Sequence, residues 1–116
     1  MVIYRNEMKK EVKEKMRAGD GTVEITYLLD AEKEKHTRMI AEVTLKKGCS
    51  IGYHSHENET EYYLIMSGTG VVNDDGKEVI VKSGDSVITG NGSSHSIKNT
   101  GTDPMVFHAV IITYDK

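Results

Sequence analysis

Tyr53-His54-Ser55-His56 is the densest chemical feature of the chain: two imidazoles one residue apart, followed after Glu57-Asn58-Glu59-Thr60 by the carboxylate of Glu61. In an extended strand, residues two apart project from the same face, so His54 and His56 can present both rings to one point. Glu61 cannot join them on the same straight strand, because five extended residues span about 16 Å. The chain must bend back between Glu57 and Thr60, which places Glu61 early on the following strand with Tyr63 and Ile65 on its side of the sheet. Two imidazoles and a carboxylate suit a borderline divalent transition metal better than calcium or magnesium. The same spacing also fits two histidines in an exposed turn beside one of many surface carboxylates, so it leaves both readings open.

Other polar residues are candidates of lower rank. Tyr63 shares the inward face of Glu61 and could donate a hydrogen bond to a bound ligand, although an aromatic that fills a barrel is the commoner use. Arg38 is the only arginine expected near the barrel. It could bind an anion, but it alternates in phase with Glu42 and Thr44, so solvent is the expected environment. Glu57 and Glu59 belong to a solvated rim that would attract cations and could supply an acid or base. His36 is expected at an exposed or edge position. His108 lies in a segment apolar on both parities and is read as structural. Cys49, the one cysteine, is read as a small buried side chain rather than a ligand or nucleophile.

The elements that must position these residues are short strands. Val23, Ile25, Tyr27 and Leu29 alternate with polar residues, as do Met39, Ala41, Val43 and Leu45. Glu61 to Met66 is rich in tyrosine and aliphatic residues, and Asn73-Asp74-Asp75-Gly76 is a hairpin signal between Val71-Val72 and Val79-Ile80-Val81. Breaks at Ser83-Gly84-Asp85, Gly90-Asn91-Gly92 and Gly101 to Pro104 lead to a last strand, Met105 to Thr113. Turn signals at this spacing predict an all-β domain over residues 22–116, a closed antiparallel sandwich or barrel. Before it, residues 1–21 read as a short helix and arm: Met8, Val12 and Met16 recur every four residues from Asn6 to Gly19, among lysines, glutamates and arginines.

A chain of 116 residues supports one domain around one core. With 15 Lys+Arg against 18 Asp+Glu there is no basic excess to neutralise phosphates, so nucleic acid is not an expected partner. A single cysteine allows no intrachain disulfide, and no apolar run approaches a membrane span. A cytoplasmic protein with no membrane partner is expected.

The spacing continues outward. Gly48 precedes His54 by five intervening residues, one residue separates His54 from His56, four lie before Glu61, and six more lead to Gly68. This resembles the first motif of the cupin family. Gly84, five residues, Gly90, one residue, Gly92, two residues, His95, three residues and Asn99 resembles the second motif, with Gly90 where that family usually has proline. Fifteen residues separate the two motifs, similar to short cupin spacings. The resemblance implies an antiparallel jelly-roll barrel and adds His95 to His54, His56 and Glu61 as ligands of one divalent metal ion per chain. Manganese, iron, nickel, cobalt and zinc all remain possible occupants. A tetrahedral zinc would be closed by four protein ligands, whereas an ion taking six ligands would keep two positions for a substrate.

GYHSHENETEYYLIMSGTG and GDSVITGNGSSHSIKNTG look like small single-domain cupins of the oxalate-decarboxylase-like kind. The resemblance implies a metal-dependent enzyme acting on a small carboxylated or hydroxylated molecule, as a decarboxylase, a dioxygenase or a sugar-phosphate isomerase. The alternative is a non-catalytic module that binds a small ligand or a metal. The lid glutamate and pocket arginine of characterised oxalate decarboxylases have no assigned counterpart in this sequence. Cupins frequently pair, and a homodimer is expected.

Overall fold

The structure is a computed structural model and describes residues 1–115. Ten strands follow one another: β1 (Lys10–Glu14), β2 (Thr22–Tyr27), β3 (Thr37–Leu45), β4 (Ser50–Ser55), β5 (Glu59–Ser67), β6 (Thr69–Asp74), β7 (Lys77–Lys82), β8 (Ser86–Gly90), β9 (Ser94–Asn99) and β10 (Met105–Thr113). They form a six-stranded sheet in the order β1-β2-β3-β10-β5-β8 and a four-stranded sheet in the order β4-β9-β6-β7. The strand pairings are antiparallel, as the turn spacing predicts, and form the jelly roll that the family resemblance implies.

Alternation explains the core. Val23 and Ile25 of β2, Ala41, Val43 and Leu45 of β3, and Met105, Phe107 and Ala109 of β10 all turn inward and are buried. They meet Ile51, Val72 and Ile97 from the smaller sheet. Full burial of an aliphatic side chain of this size contributes about 1.5–3 kcal/mol, so the two inner faces hold the sheets together. The hairpin signal is realised as a two-residue turn: Asp74 pairs with Lys77, and Asp75 and Gly76 take φ of 52° and 102°, the backbone that a primed hairpin turn requires.

The expected helix from Asn6 to Gly19 is absent. In its place β1 pairs along the free edge of β2, from Lys10 opposite Thr26 to Glu14 opposite Thr22, between 3-10 turns at Arg5–Glu7 and Met16–Ala18. A repeat of four is also an even number, so Met8, Val12 and Met16 fit one face of a strand as well as one stripe of a helix. The stripe was too narrow to bury: Val12 is 63% exposed. A short helix without a buried face gains little, whereas an unpaired sheet edge offers a full ladder of backbone partners. The Tyr27 hydroxyl fastens the pairing by donating to Glu11 at 2.6 Å. Among the described residues no helix is long and apolar enough to cross a membrane.

Candidate metal centre

His54 lies on β4, opposite His95 on β9 in the four-stranded sheet. His56 follows just after β4, and the backbone turns at Asn58, where φ is 59°, to start β5 with Glu59. Asparagine tolerates that left-handed conformation better than most residues. Glu59, Glu61, Tyr63 and Ile65 then alternate inward along β5 in the other sheet, so Glu61 faces the three imidazoles across the barrel. The bend expected between Glu57 and Thr60 is present.

A register shift sets the direction of His54. Ile51 pairs with Ile97 and His54 with His95, so β4 carries one residue more than β9 between these pairs. Such a bulge changes the side-chain parity of its strand, which lets both Ile51 and His54 face inward although they are three residues apart. Gly52 is required there by contact: a Cβ on it would stand 1.9 Å from the carbonyl oxygen of Arg17.

The four side chains converge. His56 Nε2 lies 3.0 Å from His95 Nε2 and 2.9 Å from Glu61 Oε1, His95 Nε2 lies 3.0 Å from the same oxygen and 3.2 Å from His54 Nε2, and His54 Nε2 is 4.0 Å from Glu61. Outer partners orient each ring. His54 Nδ1 donates to the Gly52 carbonyl at 2.7 Å and His56 Nδ1 to Glu59 Oε2 at 2.6 Å, while the Thr89 hydroxyl lies 2.9 Å from His95 Nδ1 and can accept from it. With the outer nitrogens carrying the protons, the inner ones present lone pairs, the arrangement that metal-ligating histidines need. Three lone pairs and a carboxylate oxygen at these separations repel one another unless a cation or protons lie among them. The donor set therefore fits a metal ion, and the described residues contain this one cluster of four groups able to hold it.

Charges in the cluster follow from the same contacts. Burial alone would raise the pKa of Glu61, but its imidazole neighbours outweigh burial and hold the carboxyl well below its usual range. Burial works against protonated His56, yet hydrogen bonds to Glu61 and Glu59 raise its pKa. Burial prevails at His95 and lowers it. Tyr63 stacks on the His95 ring, with centroids 4.7 Å apart and planes at 14°. Burial pushes its hydroxyl well above the ordinary range, the Glu61 charge and hydrogen bond add to this, and the Arg17 charge opposes it.

One expectation about the rim is corrected and another is refined. Glu59 is not a solvated loop residue: it is 8% exposed, accepts two hydrogen bonds from Arg38 at 2.7 and 2.8 Å, and supports His56. The Arg38 guanidinium is the chief reason that the Glu59 carboxyl sits below its ordinary pKa. Arg38 does not follow Glu42 and Thr44 outward, because Ile111 pairs with Met39 and Ile112 with Thr37, leaving Arg38 as the extra residue of a bulge. Arg38 is exposed to solvent, as expected, but its guanidinium lies on the cavity side against Glu59, which alternation read through the bulge does not give. Glu57 is exposed and lies close to Gly92, His108 faces Glu42 at 3.5 Å on the outer face, and His36 is exposed with φ of 55°. Cys49 is a half-buried thiol packed against the core.

Above the four converging side chains opens a cavity of about 690 Å³ whose walls include His54, His56, Glu61, Tyr63, Arg38 and Arg17. Lys13, Glu14 and Lys15 complete its mouth. Arg38 is thus not the sole arginine near the site. The mouth segment takes unusual backbone: Lys15, Arg17 and Ala18 have φ of 49°, 55° and 63°, a left-handed conformation that costs roughly 1–2 kcal/mol for each non-glycine residue. Sequence alone carries no signal for Arg17, because the four-residue repeat of Met8, Val12 and Met16 around it fits a helix.

Comparison with known proteins agrees with the architecture. The family model described as cupin domain matches residues 41–111. Over 113 residues the chain is 44% identical to an oxalate-binding protein of Thermotoga maritima, covering 97% of this chain and 93% of that protein. A crystal structure of a predicted oxalate decarboxylase from Thermotoga maritima superposes with a TM-score of 0.92 at 44% identity, over 97% of this chain and 99% of the other. A polyketide cyclase from Streptomyces resistomycificus shares the fold at 15% identity, with a TM-score of 0.74 over 99% and 80% of the two chains. The jelly roll, the two motifs and the match over more than half of the sequence lead to one conclusion: this chain belongs to the cupin family.

Proposed function

We propose that the chain binds one divalent transition-metal ion through His54, His56, Glu61 and His95 and uses it to hold a small carboxylate-bearing anion of the oxalate class. The observation that carries this reading is the convergence of three oriented imidazole nitrogens and one carboxylate at the floor of a cavity whose walls bear Arg17 and Arg38. The ion would supply Lewis-acid polarisation and a fixed positive charge for a chelating carboxylate. The protein's own part is to orient the ligands through Gly52, Glu59 and Thr89, to bury the floor, and to place cations at the mouth. The 44% identical oxalate-binding relative supports the choice of anion.

Four protein donors would close a tetrahedral zinc, whereas an ion that takes six ligands, such as manganese, iron, cobalt or nickel, would keep two positions for the anion.

A second reading, turnover of the same anion, has one observation in its favour. Glu14 at the mouth is the carboxylate other than Glu61 among the cavity's walls, and proton transfer at such a group is what decarboxylation of a bound dicarboxylate requires. Elemental analysis of the purified protein, with oxalate as substrate, tests both readings. One transition-metal ion per chain, lost in His54→Ala combined with His95→Ala, is expected; unchanged metal content in that variant contradicts the site. Release of carbon dioxide and formate in equal amounts would favour turnover, and binding without release would favour the module. Leu64 and Ile88, 38% and 64% exposed on the outer face of the six-stranded sheet, support a homodimer, and light scattering that finds a monomer at micromolar concentration would refute it.

A further inference from the structure

Oxalate is too small to account for the cavity above the four-residue floor. A space of about 690 Å³ is of the size that encloses drug-sized ligands, and much of its wall is apolar. Met16, Tyr27 and Met39 line it half-buried, each packed on the core. Beyond Tyr27 and Met39 lies a second cavity of about 670 Å³, and these two residues together with Arg38 stand in the walls of both. Ile3, Met8 and Leu29 give the second cavity an apolar lining. One side of it is the N-terminal arm, held at two points: Arg5 pairs with Glu42, and the Lys9 carbonyl accepts from the Tyr27 backbone N–H at 2.8 Å. The shared wall has fixed members and an adaptable one. Tyr27 is held by Glu11 and by the Lys9 ammonium, 5.8 Å from its ring centroid, and Arg38 is held by Glu59. Met39 is unbranched and changes rotamer without breaking a polar contact.

We propose that the two cavities form one site for an α-keto acid with an unbranched apolar chain, its head at the floor and its chain passing Met39 into the space lined by Ile3, Met8 and Leu29; this rests on the metal-centred reading given above. Such a head keeps the chelating edge of oxalate, a carboxylate oxygen beside an oxygen on the adjacent carbon, so it suits the same positions on a six-coordinate ion. A hydrocarbon chain laid against Met16, Tyr27 and Met39 and into the second cavity removes apolar surface from water on both partners. A chain ending in a second carboxylate is disfavoured. Glu7, Asp30 and Glu32 outnumber Lys9 around the second cavity, and the Arg38 charge is answered by Glu59.

The test is calorimetric titration of oxalate, α-ketobutyrate, α-ketohexanoate and α-ketooctanoate into manganese-loaded wild type and into Met8→Gln combined with Leu29→Gln, with manganese per chain and thermal unfolding measured for both. In wild type, affinity is expected to rise about two- to fourfold with each added methylene, which makes α-ketooctanoate at least about 15-fold tighter than α-ketobutyrate. In the double variant α-ketooctanoate should weaken by about 5- to 50-fold, while oxalate stays within about twofold of wild type and manganese content is unchanged. Leu29→Gln alone should give a smaller loss of the same pattern, and it replaces the double variant if that one does not fold. Affinity within about twofold across the α-keto series in wild type, or an undiminished rise in a folded variant, overturns the proposal. If loaded wild type binds neither oxalate nor any α-keto acid, the metal-centred reading fails as well, a result distinct from a flat series with oxalate still bound.

Discussion

At the floor of the cavity His56, Glu61 and His95 are 2%, 4% and 0% exposed, and each of the three imidazoles has its outer nitrogen set against Gly52, Glu59 or Thr89. At the mouth Lys13, Lys15 and Arg17 are exposed, and the Arg17 guanidinium is unpartnered among the described residues. The floor joins two sheets, while the mouth is a single strap added to a sheet edge. Burial with every polar group satisfied favours one fixed arrangement of donors, which a metal ion rewards. Exposure with an unanswered charge favours exchange with solvent anions. Metal retention and ligand choice should therefore respond to different substitutions.

The largest separation is expected from His54→Ala combined with His95→Ala, which should abolish metal binding and, with it, anion binding, as read by elemental analysis and calorimetry. Acidification should act on the floor in the same direction. Protons compete with the ion for the inward nitrogens, so metal is retained at high pH and released as pH falls through the range in which the imidazoles protonate; equilibrium dialysis at stepped pH measures this. A mouth-controlled site, with Arg17 charged throughout, would show no such release.

Removing support behind the floor should cost less than removing a ligand. Glu59→Gln and Arg38→Gln are each expected to weaken metal binding by about 10- to 100-fold. Because they act through one contact chain, the double variant should be little worse than either single one; additive losses would show that Arg38 acts elsewhere. Gly52→Ala should give the smallest effect on metal. It forces a methyl group against the Arg17 carbonyl, so a loss of about 1–3 kcal/mol in stability is expected by thermal or denaturant unfolding, with anion affinity falling more than metal affinity.

Much of this was readable from residue order. Alternation located the strands from Thr22 to Thr113 because inward and outward positions differ in polarity along each of them, and the His54, His56, Glu61 and His95 cluster was found because motif spacing survives where exact strand boundaries do not. Three features escaped for physical reasons. A period of four does not separate a narrow helical stripe from a strand face, and Lys10–Glu14 took the sheet edge. A bulge costs one residue of parity, which no local composition marks, so the cavity-side facing of the exposed Arg38 and its pairing with Glu59 are not legible in the residue order. Arg17 reaches the cavity through a left-handed turn that only the contact with Gly52 explains.

The most direct measurement is calorimetric titration of oxalate into the wild-type chain, first stripped of metal and then reloaded with manganese. A metal-centred anion site predicts no measurable heat of binding in the stripped protein and one oxalate per bound manganese after reloading. Oxalate binding of equal affinity in stripped and reloaded protein would contradict it.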